Sequence, residues 1–359
     1  MSPDRGEPDT GIPADPIPNP AELDSALSTL ALDESALSPS HSPVPPHLSH
    51  SPSSNAKRSD PFEFGHRTLS ADDDVFTYNA WDHVVPDSSH ISFCESQYAA
   101  QRSAPVSDFD RARFNTNPEK WWDLFYKQKS ATFFKDRKWL VQEFPVLGEI
   151  TKEDAGRKVV VEVGAGAGNT AFPIMRINRN KELTVHAVDF SVKAVDTMRG
   201  VEEYAGFSSG TGDDGCGLMH ADVWDAAGDD LPPGVEEGQV DVVIMIFIFS
   251  ALNPRQWDKA VENVLRMLKP GGLVLFRDYG RGDLAQVRFK AGRYMEENFY
   301  VRGDGTRVYF FETEELERIW GDGFDILNLD VDRRLIVNRQ RRIKMYRCWI
   351  QGRFRKKLT

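Results

Sequence analysis

The residues with the clearest chemical use stand in one run, Val161-Glu162-Val163-Gly164-Ala165-Gly166-Ala167-Gly168-Asn169. Glycines spaced this way let a backbone turn approach a ligand and let the next helix begin beside it. A dinucleotide-binding turn reads G-x-G-x-x-G and cradles a pyrophosphate. Here the order is G-x-G-x-G, with an acid two residues before the first glycine. That form suits a ligand with a ribose and an amino-acid moiety but no pyrophosphate. Asp189 follows 25 residues after Gly164, and Asp222 follows later, each closing an apolar run. Asp189 can accept hydrogen bonds from both ribose hydroxyls, and Asp222 from an adenine amino group. Ile246, near the end of a further apolar run, can wall the pocket. Taken singly, each acid reads equally as a turn or cap residue; the ordered set is what argues for a ligand.

These residues need a scaffold, and the chain predicts one. Strands are expected at 158–163, 184–189, 217–222, 240–247 and 272–278. An amphipathic helix over 253–269 is halted by Pro270-Gly271-Gly272. Strands alternating with helices imply right-handed βαβ units and a doubly wound parallel sheet. Acids ending the strands beside the glycine turn lie on the ligand side of its switch point. Together these features are typical of class I S-adenosylmethionine (AdoMet) methyltransferases, a Rossmann-like α/β fold. A NAD site and a purely structural fold are the rivals.

Three additions surround this sheet. Before it, residues 118–144 read as helical, with Asn117 as a cap and Pro118 at the first helical position. After it, residues 298–302, the turn Gly303-Asp304-Gly305 and residues 306–311 predict a β-hairpin. Period-2 alternation sets Tyr300 and Arg302 on one face of their strand, and Arg307 and Tyr309 on one face of theirs. Phe299, Val301, Val308 and Phe310 then anchor the hairpin to the body. A helix at 313–320 and strands near 324–331 and 343–351 complete the chain. The expected division is a disordered Pro/Ser-rich tail over 1–60, an N-terminal arm and helical cap over 61–150, and a methyltransferase domain over 151–359. The hairpin is an insertion near 281–312.

Composition narrows the classes. The chain has 359 residues, a net charge of −11 and three cysteines, none in a C-x-x-C pair. That pattern argues against a disulfide scaffold and a zinc site, and no metal is expected. No stretch reaches the roughly 18 apolar residues of a membrane span. The N-terminus has neither a secretory h-region nor an Arg-rich transit pattern, so the cytoplasm, with the nucleus as alternative, is the expected location. Eleven of the 21 prolines and twelve serines fall within residues 1–60, which contain no aromatic residue. Such a segment buries too little to offset its chain entropy. The last 27 residues hold eleven Lys/Arg and no acid. Any nucleic-acid contact must therefore use a local basic surface.

Longer motifs carry a resemblance. Residues 133–145 (FFKDRKWLVQEFP), 161–174 (VEVGAGAGNTAFPI), 186–195, 246–254 (IFIFSALNP), 268–280 (LKPGGLVLFRDYG), 288–290 (RFK) and 297–311 (ENFYVRGDGTRVYFF) resemble the eukaryotic tRNA N3-methylcytidine methyltransferases. FGHR (64–67) and YNAWDHV (78–84) are similar to the longer cytoplasmic members. Ala165 and Ala167 depart from the Cys and Val common in that family's turn. The resemblance implies 3-methylcytidine formed in a tRNA anticodon loop, at nucleotide 32, with an aminoacyl-tRNA synthetase or another accessory protein as a partner of some members. It also implies that Trp122 and Tyr126 join Gly164, Gly166, Asp189, Asp222 and Ile246 at the cofactor. Without it, Trp122 and Tyr126 read as core aromatics sharing one helix face.

The chemistry asks little of an acid or base. The N3 lone pair of an unpaired cytosine attacks a methyl group directly, so holding the base near-linear is the main task. A carboxylate can stabilise the cationic product. Asp278 is the first candidate and Asp136 the second, against a structural reading in which each pairs with its neighbour, Arg277 or Arg137. RNA loops are held by stacking and by Lys/Arg on phosphates. The candidates are Arg137, Arg277, Arg288, Lys290, Tyr300, Arg302, Arg307 and Tyr309. Two other functions stay open: a class I methyltransferase acting on a protein or small molecule, and a non-catalytic RNA-binding protein of this fold.

Overall fold

The computed structural model describes residues 67–129, 134–137, 139–210 and 217–358. The expected tail at 1–60 lies outside the described residues, as do Cys216 and most of FGHR. Strand β1 (Ala80–Asp82) is followed by α1 (Ser88–Ser103), α2 (Asp108–Thr116), α3 (Pro118–Gln128), α4 (Leu140–Glu143) and α5 (Val146–Ile150). The central unit runs β2 (Lys158–Val163), α6 (Ala171–Ile177), β3 (Leu183–Asp189), α7 (Val192–Arg199), α8 (Tyr204–Ser209), β4 (Leu218–Val223), β5 (Val240–Ile246), α9 (Trp257–Met267) and β6 (Leu268–Tyr279). Then come α10 (Leu284–Val287), β7 (Tyr294–Glu296), β8 (Phe299–Val301), β9 (Arg307–Tyr309), α11 (Thr313–Trp320), β10 (Phe324–Asn338) and β11 (Ile343–Lys356).

Eight strands form one sheet in the order β1-β10-β11-β6-β5-β2-β3-β4. From β6 to β4 the pairing is parallel; β11, β10 and β1 add to the other edge antiparallel. The chain leaves β2 toward β4 and returns to the opposite side at β5. The gap between β2 and β5 is thus the switch point, where ligands of such sheets bind. Val, Ile and Leu fill these strands because both faces are covered. Val160, Ile244 and Leu275 pack on one face with Phe172 and Leu147. Val161, Val163 and Val243 pack on the other with Phe249, Trp257 and Phe299.

The structure differs from expectation at five places. The polar stretch after Pro86 contains α1, which buries Cys94, Tyr98 and Gln101 one face-repeat apart and is capped by the Asp87 side chain accepting from the His90 amide at 2.8 Å. Asn117 occupies the cap position of α3 but makes no side-chain capping bond. Pro270 does not follow the helix directly: α9 ends at Met267 and β6 already begins at Leu268. Gly271, at φ 77°, falls where the register slips opposite Val240 and Val242. The two last strands are longer than expected, 15 and 14 residues. The predicted hairpin exists as β8 and β9, and β7 extends it to three strands.

Candidate active site

The glycine turn leaves β2 in left-handed conformations. Gly164 has φ 68° and Gly166 φ 59°. A Cβ on Gly164 would lie 2.6 Å from Ile248 Cγ1, and one on Gly166 would strike the Tyr126 hydroxyl. Both positions therefore require glycine for conformation and for space. The Gly166 amide donates to Asp189 Oδ2 at 2.9 Å, and the Ser191 amide donates to Asp189 Oδ1 at 2.9 Å. The end of β3 and the glycine turn are thus tied together through one carboxylate. Burial holds the Asp189 pKa up at about 6, and Asp123 adds to the rise, while the two amides oppose it.

Helix α3 lies across this turn. Its Trp122 and Tyr126 rings stack with centroids 6.2 Å apart and planes 30° apart, so the one-turn spacing does set both on one face. Asp123, between them, accepts from the Ser191 hydroxyl at 2.6 Å and the Lys193 amide at 3.1 Å. This tether docks α3 on the start of α7, and sequence reading missed it. The only available signal was an acid beside two predicted site aromatics. Asp222 sits at the end of β4, where its Oδ1 pairs with Arg199 at 2.8 Å. Ile246 ends β5 and is buried against the cluster that includes Ala165.

Glu162, the acid ahead of the turn, is buried beneath it. Burial pushes its pKa up to about 7, against the opposing pull of Arg137. Arg137 lies 3.7 Å from Glu162, and its Nη1 donates to the Thr170 hydroxyl at 2.9 Å. That places Arg137 behind the glycine turn, not on an outer RNA-facing surface. Asp136 does not pair with Arg137; it pairs with Arg176 and accepts from Asn169 Nδ2 at 3.4 Å. Asp136 and Arg137 thus brace α6 at both ends, through Arg176 in its last turn and Asn169 and Thr170 before its first.

Arg277 and Asp278, consecutive on β6, face opposite ways. Arg277 is buried, pairs with Asp332 at 2.7 Å, donates to Gln351 at 2.8 Å, and lies between the rings of Trp139 and Trp349. It is spent in the sheet, so the expectation of an RNA contact there does not hold. Asp278 is fully buried. It accepts from the Ser250 amide at 2.9 Å and the Tyr279 amide at 2.8 Å. Burial raises its pKa to about 6. Asp278 is therefore neither paired with Arg277 nor presented to a substrate base; it clamps the segment after β5 to the end of β6.

The expected wet Arg/Tyr face of the hairpin is also corrected. Alternation within each strand holds, but the register sets Tyr300 opposite Val308 and Val301 opposite Arg307. Opposed residues share a face, so Tyr300 packs with Val308 and Phe310, while Tyr309 packs with Phe299 and Val301. Both faces are covered. Tyr300, Arg307 and Tyr309 are all buried. Arg307 donates to Asn115 at 2.9 Å and to the Ala251 carbonyl at 3.2 Å, and burial lowers its pKa to about 10. Arg302 and Arg288 remain partly exposed and Lys290 is exposed. The basic C-terminus is largely committed as well: Arg347 pairs with Asp283, Arg355 with Asp325, and Lys356 donates to the Leu265 and Leu268 carbonyls.

Comparison with known proteins decides the family. A profile described as a methyltransferase domain matches residues 161–274. The tRNA N(3)-methylcytidine methyltransferase trm140 of Schizosaccharomyces pombe is 49% identical over 294 residues, 82% of this chain and 92% of that protein. The chain belongs to the tRNA N(3)-methylcytidine methyltransferase family. Mettl2 of Drosophila melanogaster, named likewise, is 41% identical over 84% of this chain and 91% of its own length. The tRNA(Thr) (cytosine(32)-N(3))-methyltransferase of Saccharomyces cerevisiae is 49% identical, with 46% of its length covered. As a class I member of this methyltransferase family, the chain uses AdoMet. Its residues fit that cofactor: side chains on Gly164 and Gly166 would fill the cradle, and a carboxylate stands at the end of β3. No helix among the described residues is long and apolar enough to cross a membrane.

Proposed function

We propose that the chain methylates N3 of a cytidine in the anticodon loop of tRNA, at nucleotide 32. AdoMet, when bound, supplies the methyl group on a sulfonium. Asp189 accepts from the ribose hydroxyls and Asp222, steadied by Arg199, from the adenine amino group. Gly164 and Gly166 admit the amino-acid end, and Trp122 and Tyr126 close over the cofactor from α3. The protein holds the base in line and need not remove a proton from N3. Arg288, Lys290 and Arg302 meet the loop's phosphates, so tRNA affinity falls steeply with salt.

One observation carries the reading: the glycine turn, the tethered carboxylate and the helix above them all lie within a stretch 49% identical to the S. pombe methyltransferase. The test is incubation with AdoMet and unmodified total tRNA, then nucleoside mass spectrometry. A 3-methylcytidine signal supports the proposal, and its appearance only after adding cell extract assigns an accessory protein. Methyl transfer to protein or to a small acceptor, with none to cytidine under either condition, overturns it.

A further inference from the structure

Phe247 follows the last residue of β5 and has φ 59°, a conformation that costs a bulky side chain. Two bonds hold it there. Its own amide donates to the Arg277 carbonyl at 2.8 Å. Three residues on, the Ser250 amide donates to the buried carboxylate of Asp278 at 2.9 Å. The strain is thus maintained by both neighbours at the carboxyl end of β6. Its result is that the Phe247 ring meets Tyr279, with centroids 5.0 Å apart and planes 47° apart. Both rings are only partly buried. The Arg302 guanidinium stands 5.7 Å from the Tyr279 ring centroid. The adjacent Ile248 fills the space above Gly164, so the aromatic pair sits next to the cofactor turn.

We infer that Phe247 and Tyr279 form the stacking wall that receives the unpaired pyrimidine, with Arg302 at its rim to meet the flanking phosphate. This rests on the tRNA reading and adds the acceptor site to it. Two partly exposed aromatic rings at the carboxyl ends of β5 and β6, tilted 47° to each other, offer one ring face to a base and the second ring to its edge. Asp278 then acts as a positioning residue: through Ser250 it fixes the segment that carries Phe247.

The test uses the full chain and an anticodon stem-loop RNA with fluorescent pyrrolocytidine at nucleotide 32. Wild-type protein should quench the probe, because the base stacks; Phe247→Ala should bind the RNA and quench it far less. On unmodified tRNA, Phe247→Ala should lower kcat/KM about 5- to 150-fold, the range of one lost base–aromatic stack, with AdoMet affinity within twofold of wild type. Phe247→Tyr should restore most of both signals. Tyr279→Leu supplies an independent arm should Phe247→Ala not fold. Undiminished kcat/KM and quenching in Phe247→Ala and Tyr279→Leu would overturn the inference. So would equal loss of AdoMet binding, which marks core filler. Wild-type protein that makes no 3-methylcytidine with or without cell extract would instead sink the tRNA reading itself.

Discussion

The carboxylate of Asp189 should make AdoMet binding depend on pH in a range where most carboxylates no longer titrate. Burial lifts its pKa from the usual 3.8 to about 6, with Asp123 adding to the lift. Glu162 beneath the same turn is coupled to it. In the proposed reading, the ribose hydroxyls take the ionised form as acceptor. At about pH 5 only about a tenth of the protein carries it, so affinity should be about tenfold below its plateau, or ~1.4 kcal/mol. The fold shows the opposite trend. Because the folded pKa lies above the unfolded one, Asp189 binds a proton that the unfolded chain has released. Its contribution therefore falls as pH rises from about 4 to about 6, by roughly 3 kcal/mol in all. Isothermal titration calorimetry between about pH 5 and pH 8 measures the first effect. The same titration on Glu162→Gln removes the nearby group at about 7. Affinity that changes less than twofold between about pH 5 and pH 7 would refute the reasoning. An equal slope in Asp189→Asn would do the same.

Four further outcomes are expected. Gly166→Ala adds a Cβ against the Tyr126 hydroxyl at a left-handed φ; it should cost about 1–2 kcal/mol of stability and weaken AdoMet at least tenfold, as thermal melts with and without cofactor will show. Arg277→Ala leaves the buried Asp332 paired with Arg334 alone, at 3.6 Å, and should cost about 3 kcal/mol, read by chemical denaturation; the double change Arg277→Met with Asp332→Leu should recover most of it. Arg307→Ala should lower Tm by several degrees, because the Ala251 carbonyl loses a buried donor and Asn115 keeps that of Asn253 alone. Arg302→Ala should leave Tm nearly unchanged and weaken tRNA in a salt-dependent binding assay.

What the sequence disclosed was set by local rules. Strand β2 matched its expected limits, and β3 to β5 came within a residue or two, because short, mostly apolar runs, such as 159–163 before Gly164 and 185–188 before Asp189, leave few alternatives. The order of glycines and acids at the cofactor turn was equally local. What it hid depended on distant partners. Nothing in HISFCESQYAAQ shows that α1 will bury Gln101 against the carbonyls of Gln286 and Val287. Alternation told which side chains of β8 share a face, but the cross-strand register, which decides what that face meets, came from packing on both sides. Arg277 and Arg307 looked like surface cations because their carboxylate and carbonyl partners lie on other elements. Asp278 looked reactive for the same reason: the Ser250 amide that occupies one of its oxygens belongs to the segment after β5.

The small sheet of β7, β8 and β9 has a bearing on how the chain is made. Tyr300 donates to Gln101 at 2.9 Å across a separation of 199 residues. During synthesis at 5–20 residues per second, α1 leaves the ribosome roughly 10–40 s before that partner exists. Its side chains Cys94, Tyr98 and Gln101 must wait uncovered, and the loop that finally closes over them is long, a topology that slows folding. Nor can a fragment beginning at the first central strand reproduce the molecule, since it would leave Tyr300 and Gln286 without the helix that seals them.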